Sequence, residues 1–448
     1  MSITCDASGQ FCPNPSLINP CGNPRTLFEK KQLLFTFNTN ANSVNDVSKK
    51  KAFSYIVRNA KSSNISRKTK NALTFCAYRQ NLYIIGGQNK SVERYTFDPN
   101  NKITRWDPFV NLPIVLQDLT AQYYKTNKYD YLVTLGGENN TGAKNDIITY
   151  NLNNTSEGWV QNRFDISLNY TRTNLTSNLL TVNNIKYIYV MGGVDNVPSV
   201  IYPIERYNVT GCEILDSTFD LSGNDIQNSA NTTRFQYVHP RRNAGSVVYN
   251  GKIHIIGGSS RGRILSTVFY LDLENTRTNP DGSTSRWFPL GWDGDFPGGS
   301  GNDPWTTDGS DGPYAPGDYN LQTKRQGCGA AVYNGYIYVA GGSKGGTDLS
   351  CNEMTNEQPL TPIANFPLKT VEYFDGTSWK YAPCMNIPRF GCSLKNFQDK
   401  LYVVGGENGQ GNSVKEIEIF DGKSWTLSSP TINKHNDSPG VISTVERA

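Results

Sequence analysis

The chain of 448 residues has only three histidines, His239, His254 and His435, and four methionines. So few imidazoles, so widely spaced, leave no His-rich ligand set, and the H-E-x-x-H helix, the phosphate-binding Gly loop and the G-x-S-x-G elbow are all missing. No apolar run approaches the ~20 residues needed to cross a bilayer as a helix, so no transmembrane segment is expected. The opening MSITCDASGQFC has neither a basic n-region nor an apolar h-region, so no secretory signal is read and an intracellular location is expected. The nine cysteines are odd in number and scattered, which favours reduced thiols over a disulfide framework. Cys5, Cys12 and Cys21 lack the C-x₂₋₄-C spacing of zinc ligands, and no metal or other cofactor is expected. Sequons at Asn139, Asn169, Asn208 and Asn231 read as unmodified surface loops in an asparagine-rich chain.

What the chain has in quantity is glycine in pairs. Residues 245–258 read GSVVYNGKIHIIGG and residues 329–342 read GAAVYNGYIYVAGG. Each is a β-hairpin in sequence form, with Asn-Gly supplying the two positive φ angles of a type I′ turn. The same ending recurs at Gly86-Gly87, Gly136-Gly137, Gly192-Gly193 and Gly405-Gly406, always after an apolar strand. The spacings are 50, 56, 65, 84 and 64 residues, and a period of this size marks a β-propeller. An apolar content of 37% suits thin four-stranded blades with polar loops.

Third strands follow as VERYTFDP (92–99), IITYNL (147–152), IERYNV (204–209), VFYLDL (268–273), VEYFDG (371–376) and IEIFDG (417–422). Fourth strands end near Trp106, Trp159, Trp287, Trp379 and Trp425, with Phe219 standing in for a tryptophan in blade three. These aromatics are expected in the core between sheets. The whole set (apolar strand, Gly-Gly, Glu-x-Tyr or a relative, then Trp) resembles the kelch-repeat family over residues ~70–430. The resemblance implies an all-β fold, a kelch-type propeller of six four-stranded blades. Blade two departs from the pattern with Ile148 in place of Glu. The blades start near Leu73. A strand in the tail SPGVISTVERA (438–448) suits ring closure, or pairs with QLLFTF (32–37) in an incomplete seventh blade; six blades is the reading adopted. Long excursions at 292–323 and 343–369 interrupt the array, and the aspartates of the first lack the spacing of a calcium loop.

The boundaries expected are a basic N-terminal arm, 1–68, and a propeller, 69–448. Residues 1–72 hold 11 Lys and Arg against 3 Asp and Glu, whereas the remainder has 32 against 36. Within the arm, residues 45–61 predict one helix, with Phe53, Ile56, Val57 and Ala60 on an apolar stripe flanked by Lys49, Lys50, Lys51 and Arg58. That face either docks on an acidic partner, nucleic acid or a membrane surface, or packs on the propeller's side; both readings stand.

Counting back sixteen residues from the first Gly of a pair gives Arg241, Arg325 and Arg389, and Lys70 in blade one; Arg172 lies twenty before Gly192. Equal offsets imply equivalent positions, hence a partial ring of cations at one end of the central channel. In kelch proteins that bind acidic peptides, arginines at this point line the binding face, so the resemblance implies a partner-binding role for Arg241, Arg325 and Arg389. The alternative is that each ties blade loops together through backbone carbonyls. Cys328 and Cys392 follow in RQGC and RFGC and should face the axis as small packing residues. His254, inside a strand, is expected to be structural.

The functional expectation is a non-enzymatic interaction or scaffold module. Its propeller face would bind a protein partner, acidic in character, and its basic arm would dock into a larger assembly such as a virion. No catalytic residue is assigned. The rival class is a carbohydrate-active or oxidative enzyme on the same fold, sialidase-like or galactose-oxidase-like. DGTSW (375–379) and DGKSW (421–425) resemble sialidase boxes, but they fall at the turn between strands three and four that kelch repeats also use.

Overall fold

The computed structural model describes residues 78–447, apart from 99–102, 126–129, 164–165, 197–203, 210–215, 221–240, 261–262, 276, 279–283, 291–318, 345–365 and 436–437, together with residues 4–5 and 11–12. The chain divides into two compact units. One comprises residues 1–81, 96–105 and 444–448, and within it Thr4–Cys5 pairs antiparallel with Phe11–Cys12. The other comprises residues 82–95 and 106–443.

Six four-stranded antiparallel sheets form the blades of a propeller. From the innermost strand outwards, blade 2 is Thr120–Lys125, Asp130–Leu135, Ile147–Asn151 and Trp159–Gln161. Blade 3 is Thr176–Val182, Ile185–Met191, Glu205–Asn208 and Asp216–Asp220. Blade 4 is Gly245–Tyr249, Lys252–Ile256, Val268–Leu271 and Trp287–Pro289. Blade 5 is Gly329–Tyr333, Tyr336–Ala340, Val371–Phe374 and Trp379–Ala382. Blade 6 is Ser393–Phe397, Lys400–Val404, Ile417–Phe420 and Trp425–Ser428.

Blade 1 is built differently. Its strands Tyr78–Ile85, Val92–Asp98 and Ile103–Pro108 are completed on the inside by Gly440–Arg447 from the far end of the chain. The tail therefore closes a six-bladed ring, and the first blade takes its inner strand from there and not from residues following Leu73. Residues 32–37 lie outside the described residues.

Each turn and each interface follows from local chemistry. Asn250 and Asn334 adopt φ of 48° and 48° before Gly251 and Gly335, the geometry of an Asn-Gly hairpin. Second strands such as Asp130–Leu135 are buried at every position, as expected where both faces are covered by neighbouring sheets. Apolar clusters fill the gaps between successive blades, for example Val133, Ile147, Ile188 and Val190 between blades 2 and 3. The fourth-strand tryptophans stack on third-strand aromatics, with ring centroids 5.2 Å apart for Tyr150 and Trp159, 5.5 Å for Phe374 and Trp379 and 5.0 Å for Phe420 and Trp425. Their indole N–H groups donate to the loop leading into the same blade: Trp159 to Val110 O, Trp379 to Tyr319 O and Trp425 to Pro383 O. A buried indole with a satisfied N–H is a strong fixed strut.

Candidate functional site

The sixteen-residue offset does identify equivalent positions, but the side chains there are turned into the protein. Arg172, Arg325 and Arg389 are 0% exposed and Arg241 is 2%. Each donates from Nη1 to the carbonyl of the first Gly of its own blade, at 3.0 Å (Gly192), 2.8 Å (Gly257), 2.8 Å (Gly341) and 3.2 Å (Gly405). Three of them also meet the third-strand glutamate: Arg172 Nη2 lies 2.7 Å from Glu205 Oε1, Arg389 Nη2 3.2 Å from Glu418 Oε1, and Arg325 bonds Glu372 Oε1. The same carboxylates accept backbone N–H groups from the loop entering the blade, such as Asn386 and Ile387 onto Glu418.

The other blades vary this one theme. In blade 4 the glutamate position is Phe269, and the Arg241 guanidinium lies 4.6 Å above its ring while donating to Thr267. In blade 2 both members are apolar: Leu116 and Ile148, each 0% exposed, share one core cluster. In blade 1 the place is taken by His435, 0% exposed, between Gly86 O (2.7 Å) and Glu93 Oε1 (3.0 Å).

The backbone of this position links blade to blade. The carbonyls of Leu116, Arg172, Arg241, Arg325, Arg389 and His435 accept from the second Gly of the preceding blade, Gly87, Gly137, Gly193, Gly258, Gly342 and Gly406, at 2.8–3.0 Å. A Cβ on Gly405 would sit 2.5 Å from His435 O, so the first Gly of that pair has no room for a side chain. The expectation that these arginines present a cationic ring to an acidic partner is thus corrected. Each guanidinium is enclosed and bonded within its own blade, which matches the loop-tying alternative. Lys70 lies outside the described residues, as do Lys49, Lys50, Lys51, Phe53, Ile56, Val57 and Arg58.

Two residues further along five of these loops, and three beyond His435, the chain reaches the axis. Asp118, Asn174, Asn243, Gly327, Gly391 and Ser438, one per blade, all have positive φ, between 46° and 68°. Their amides and carbonyls run round the axis: Asn174 N donates to Asp118 O (3.0 Å), Asn243 to Asn174 (3.1 Å), Gly327 to Asn243 (2.7 Å), Gly391 to Gly327 (2.9 Å) and Ser438 to Gly391 (2.8 Å). The left-handed conformation is what aims both peptide groups along the circle, and it explains the Asn, Asp and Gly at five of the six places.

Below this collar lies a cavity of about 120 Å³, lined by the inner strands of blades 2 to 6 together with Ser438 and Pro439. Its walls carry the hydroxyls of Thr120, Ser246 and Ser393, the Gln122 amide, and the free thiols of Cys328 and Cys392. Burial pushes the Cys328 thiol up to about 11 and raises Cys392 as well, so both are neutral packing groups. Lys395 projects into the same space. No motif in the sequence singled it out, since lysine is common and its offset from the Gly pair is unique to blade 6.

The remaining candidates are structural. His254 is buried between Tyr249 and Tyr270, accompanied by Lys252 O, and burial pulls it down to about 4, so it is neutral. Asp375 and Asp421 cap the DGTSW and DGKSW turns by accepting from the backbone N–H groups two and three residues on. Among the described residues, no three of His, Cys, Asp and Glu are placed to hold a metal ion. Cys384 is disulfide-bonded, an exception to the reduced thiols that the sequence favours.

The Kelch motif matches residues 240–279, 324–354 and 388–430, which fall on blades 4, 5 and 6. No curated protein matches the chain. A solved structure titled "Structure of YjhT" is similar with a TM-score of 0.48 and 14% identity, over 79% of this chain and 98% of that one. The protein is a six-bladed β-propeller of four-stranded blades that carries the Kelch motif in three of them.

Proposed function

We propose that the protein is a non-enzymatic interaction module whose collar face receives a protein partner. The observation that carries this reading is the collar itself. Six loops, one from each blade, are joined by five successive backbone bonds around the axis, so the surrounding face is preorganised and loses little freedom on binding. On that face the residues just before the collar are Gln117, Thr173, Arg242, Gln326 and Phe390; Arg242 is exposed and Phe390 half-buried, the pairing of cation and aromatic that binding surfaces favour.

The test is affinity capture with the intact chain and with Arg242→Glu/Phe390→Ala. A partner recovered with the first and lost with the second is the expected result; equal recovery rejects this face. Copper loading, or turnover in a sialidase or oxidase screen, would overturn the non-enzymatic reading.

The basic segment 1–68 is proposed to dock the propeller into a larger assembly, the virion being one form of it. Its excess of 11 basic over 3 acidic residues up to residue 72 supports that reading. Deleting residues 1–68 should abolish recovery with the assembly while leaving the unfolding midpoint of the propeller in place.

A further inference from the structure

The channel below the collar contains a cation that the fold does not need. Lys395 sits on the innermost strand of blade 6, and the equivalent inner-strand positions are Gln122, Asn178, Val247, Ala331 and Ile442. Alanine and valine serve that place in blades 5 and 4, so nothing in blade packing calls for an ammonium group. Every other buried or half-buried cation traced above has a bonded acceptor within its blade. Lys395 is half-buried and makes no hydrogen bond or ion pair with any described residue, and burial alone lowers its basicity.

Its surroundings do not neutralise it. The two thiols in the wall are protonated, the Gln122 amide is bonded to Ser177, and the other polar lining side chains apart from Asp118 are hydroxyls and the neutral amides of Asn174 and Asn243. Asp118 is the one carboxylate in the wall, and it belongs to the collar, four strand positions nearer the mouth than Lys395. An ammonium withdrawn from bulk water is stabilised by an anion or by ordered water. The cavity of about 120 Å³ accommodates a group of a few heavy atoms, the volume of about four waters.

We propose that the channel is a binding site for a small organic carboxylate, held as a monoanion against the Lys395 ammonium with Thr120 and Ser246 as neighbouring hydroxyls. One cation matches one negative charge, and the cavity matches a molecule of acetate size. The site is independent of the collar-face partner, since its ligand lies inside the channel and its probe is a small molecule.

The experiment is titration of the full-length protein with ¹³C-carboxyl-labelled acetate, followed by NMR line broadening and by calorimetry. Saturable binding is expected in the wild type, about tenfold or more weaker in Lys395→Met and retained in Lys395→Arg. Lys395→Met should fold, because blades 4 and 5 hold Val and Ala at this place, and its thermal midpoint is measured alongside to establish that. No saturable binding overturns the proposal, as does binding that Lys395→Met leaves unchanged. Displacement of acetate by equimolar chloride would overturn the assignment to carboxylates.

Discussion

His435 and Glu93, 342 residues apart in sequence, meet inside the first blade with Nε2 3.0 Å from Oε1. The other ring nitrogen lies 2.7 Å from Gly86 O. Both nitrogens face acceptors, and an imidazole donates from both only when it carries both protons. This is the one blade in which a histidine stands where blades 3, 4, 5 and 6 use arginine.

The acid limb of stability should therefore pass through Glu93. Burial alone would raise its carboxyl, but the His435 hydrogen bond, the Asn433 and Ile432 N–H groups and the charge of His435 together hold it below the ordinary 4.5. A carboxyl lowered in the folded state contributes stability above pH 4.5 and loses it as the pH falls through and below that value. Urea midpoints measured from pH 7 to pH 3 should fall less steeply below pH 4.5 in Glu93→Gln than in the wild type; parallel curves would exclude the pair as a source of acid sensitivity.

Replacing the cation tests the same place from the other side. His435→Ala leaves a buried carboxylate without its cation and should destabilise by about 3–5 kcal/mol. His435→Arg installs the residue of four other blades and should retain most of the wild-type stability at pH 7. Equal losses in the two variants would show that shape, not charge, governs the position.

Blade 2 shows what an apolar version of the pair looks like, and a double-mutant cycle on blade 6 can reproduce it. Glu418→Ile should cost about 3–5 kcal/mol by leaving Arg389 buried without its carboxylate. Arg389→Leu/Glu418→Ile should be less damaging than the two single changes summed, with a coupling of about 0.5–3 kcal/mol. Recovery stays incomplete because Asn386 and Ile387 lose the carboxylate that accepts their N–H groups. Strict additivity in denaturant titrations would show that the pair is not energetically coupled.

The collar makes a prediction of opposite sign at two of its members. Ser438 is held at φ 46° without the local side-chain advantages of Asn or Asp, so Ser438→Gly should stabilise by about 0.5–1 kcal/mol. Gly391, at φ 68°, should lose about 1–2 kcal/mol on substitution by Ala. Calorimetric midpoints moving in the same direction for both variants would contradict a collar maintained by left-handed backbone.

The axial thiols should be silent in the folded protein. With Cys328 pushed up to about 11, roughly 0.03% of it is thiolate at pH 7.5. Iodoacetamide followed by peptide mapping should label Cys328 and Cys392 only after denaturant is added; rapid native labelling would show that the channel opens to reagents.

Much of this architecture is legible in the chain because each Gly pair marks a place where two backbones touch, which tolerates no Cβ and so recurs in every blade. The arginine offsets are legible for the same reason. Their purpose is not, because the bonds that define it run from Arg389 to Glu418 and Gly405, across strands whose register a linear count does not contain. Blade 1 is the sharper case. Counting back from Gly86 arrives at Lys70, whereas the position is occupied by His435, since the inner strand of that blade comes from residues 440–447. Lys395 leaves no pattern at all: it is a single departure among six equivalent positions, visible once the inner strands are superposed around the axis.

The strand that completes blade 1 also sets a timetable. A chain made from its N-terminus exposes the second strand of the first blade with an open inner edge while the other five blades emerge, and no local partner can cover it. Its proper partner leaves the ribosome only after the other five blades, so the earliest blade to be synthesised is the last to be finished. Contacts spanning about 340 residues form slowly, and an unpaired edge is a site of mispairing in the interval. Whatever shields that edge during synthesis, a chaperone or a neighbouring chain, governs the yield of folded protein more than the stability of the closed ring does.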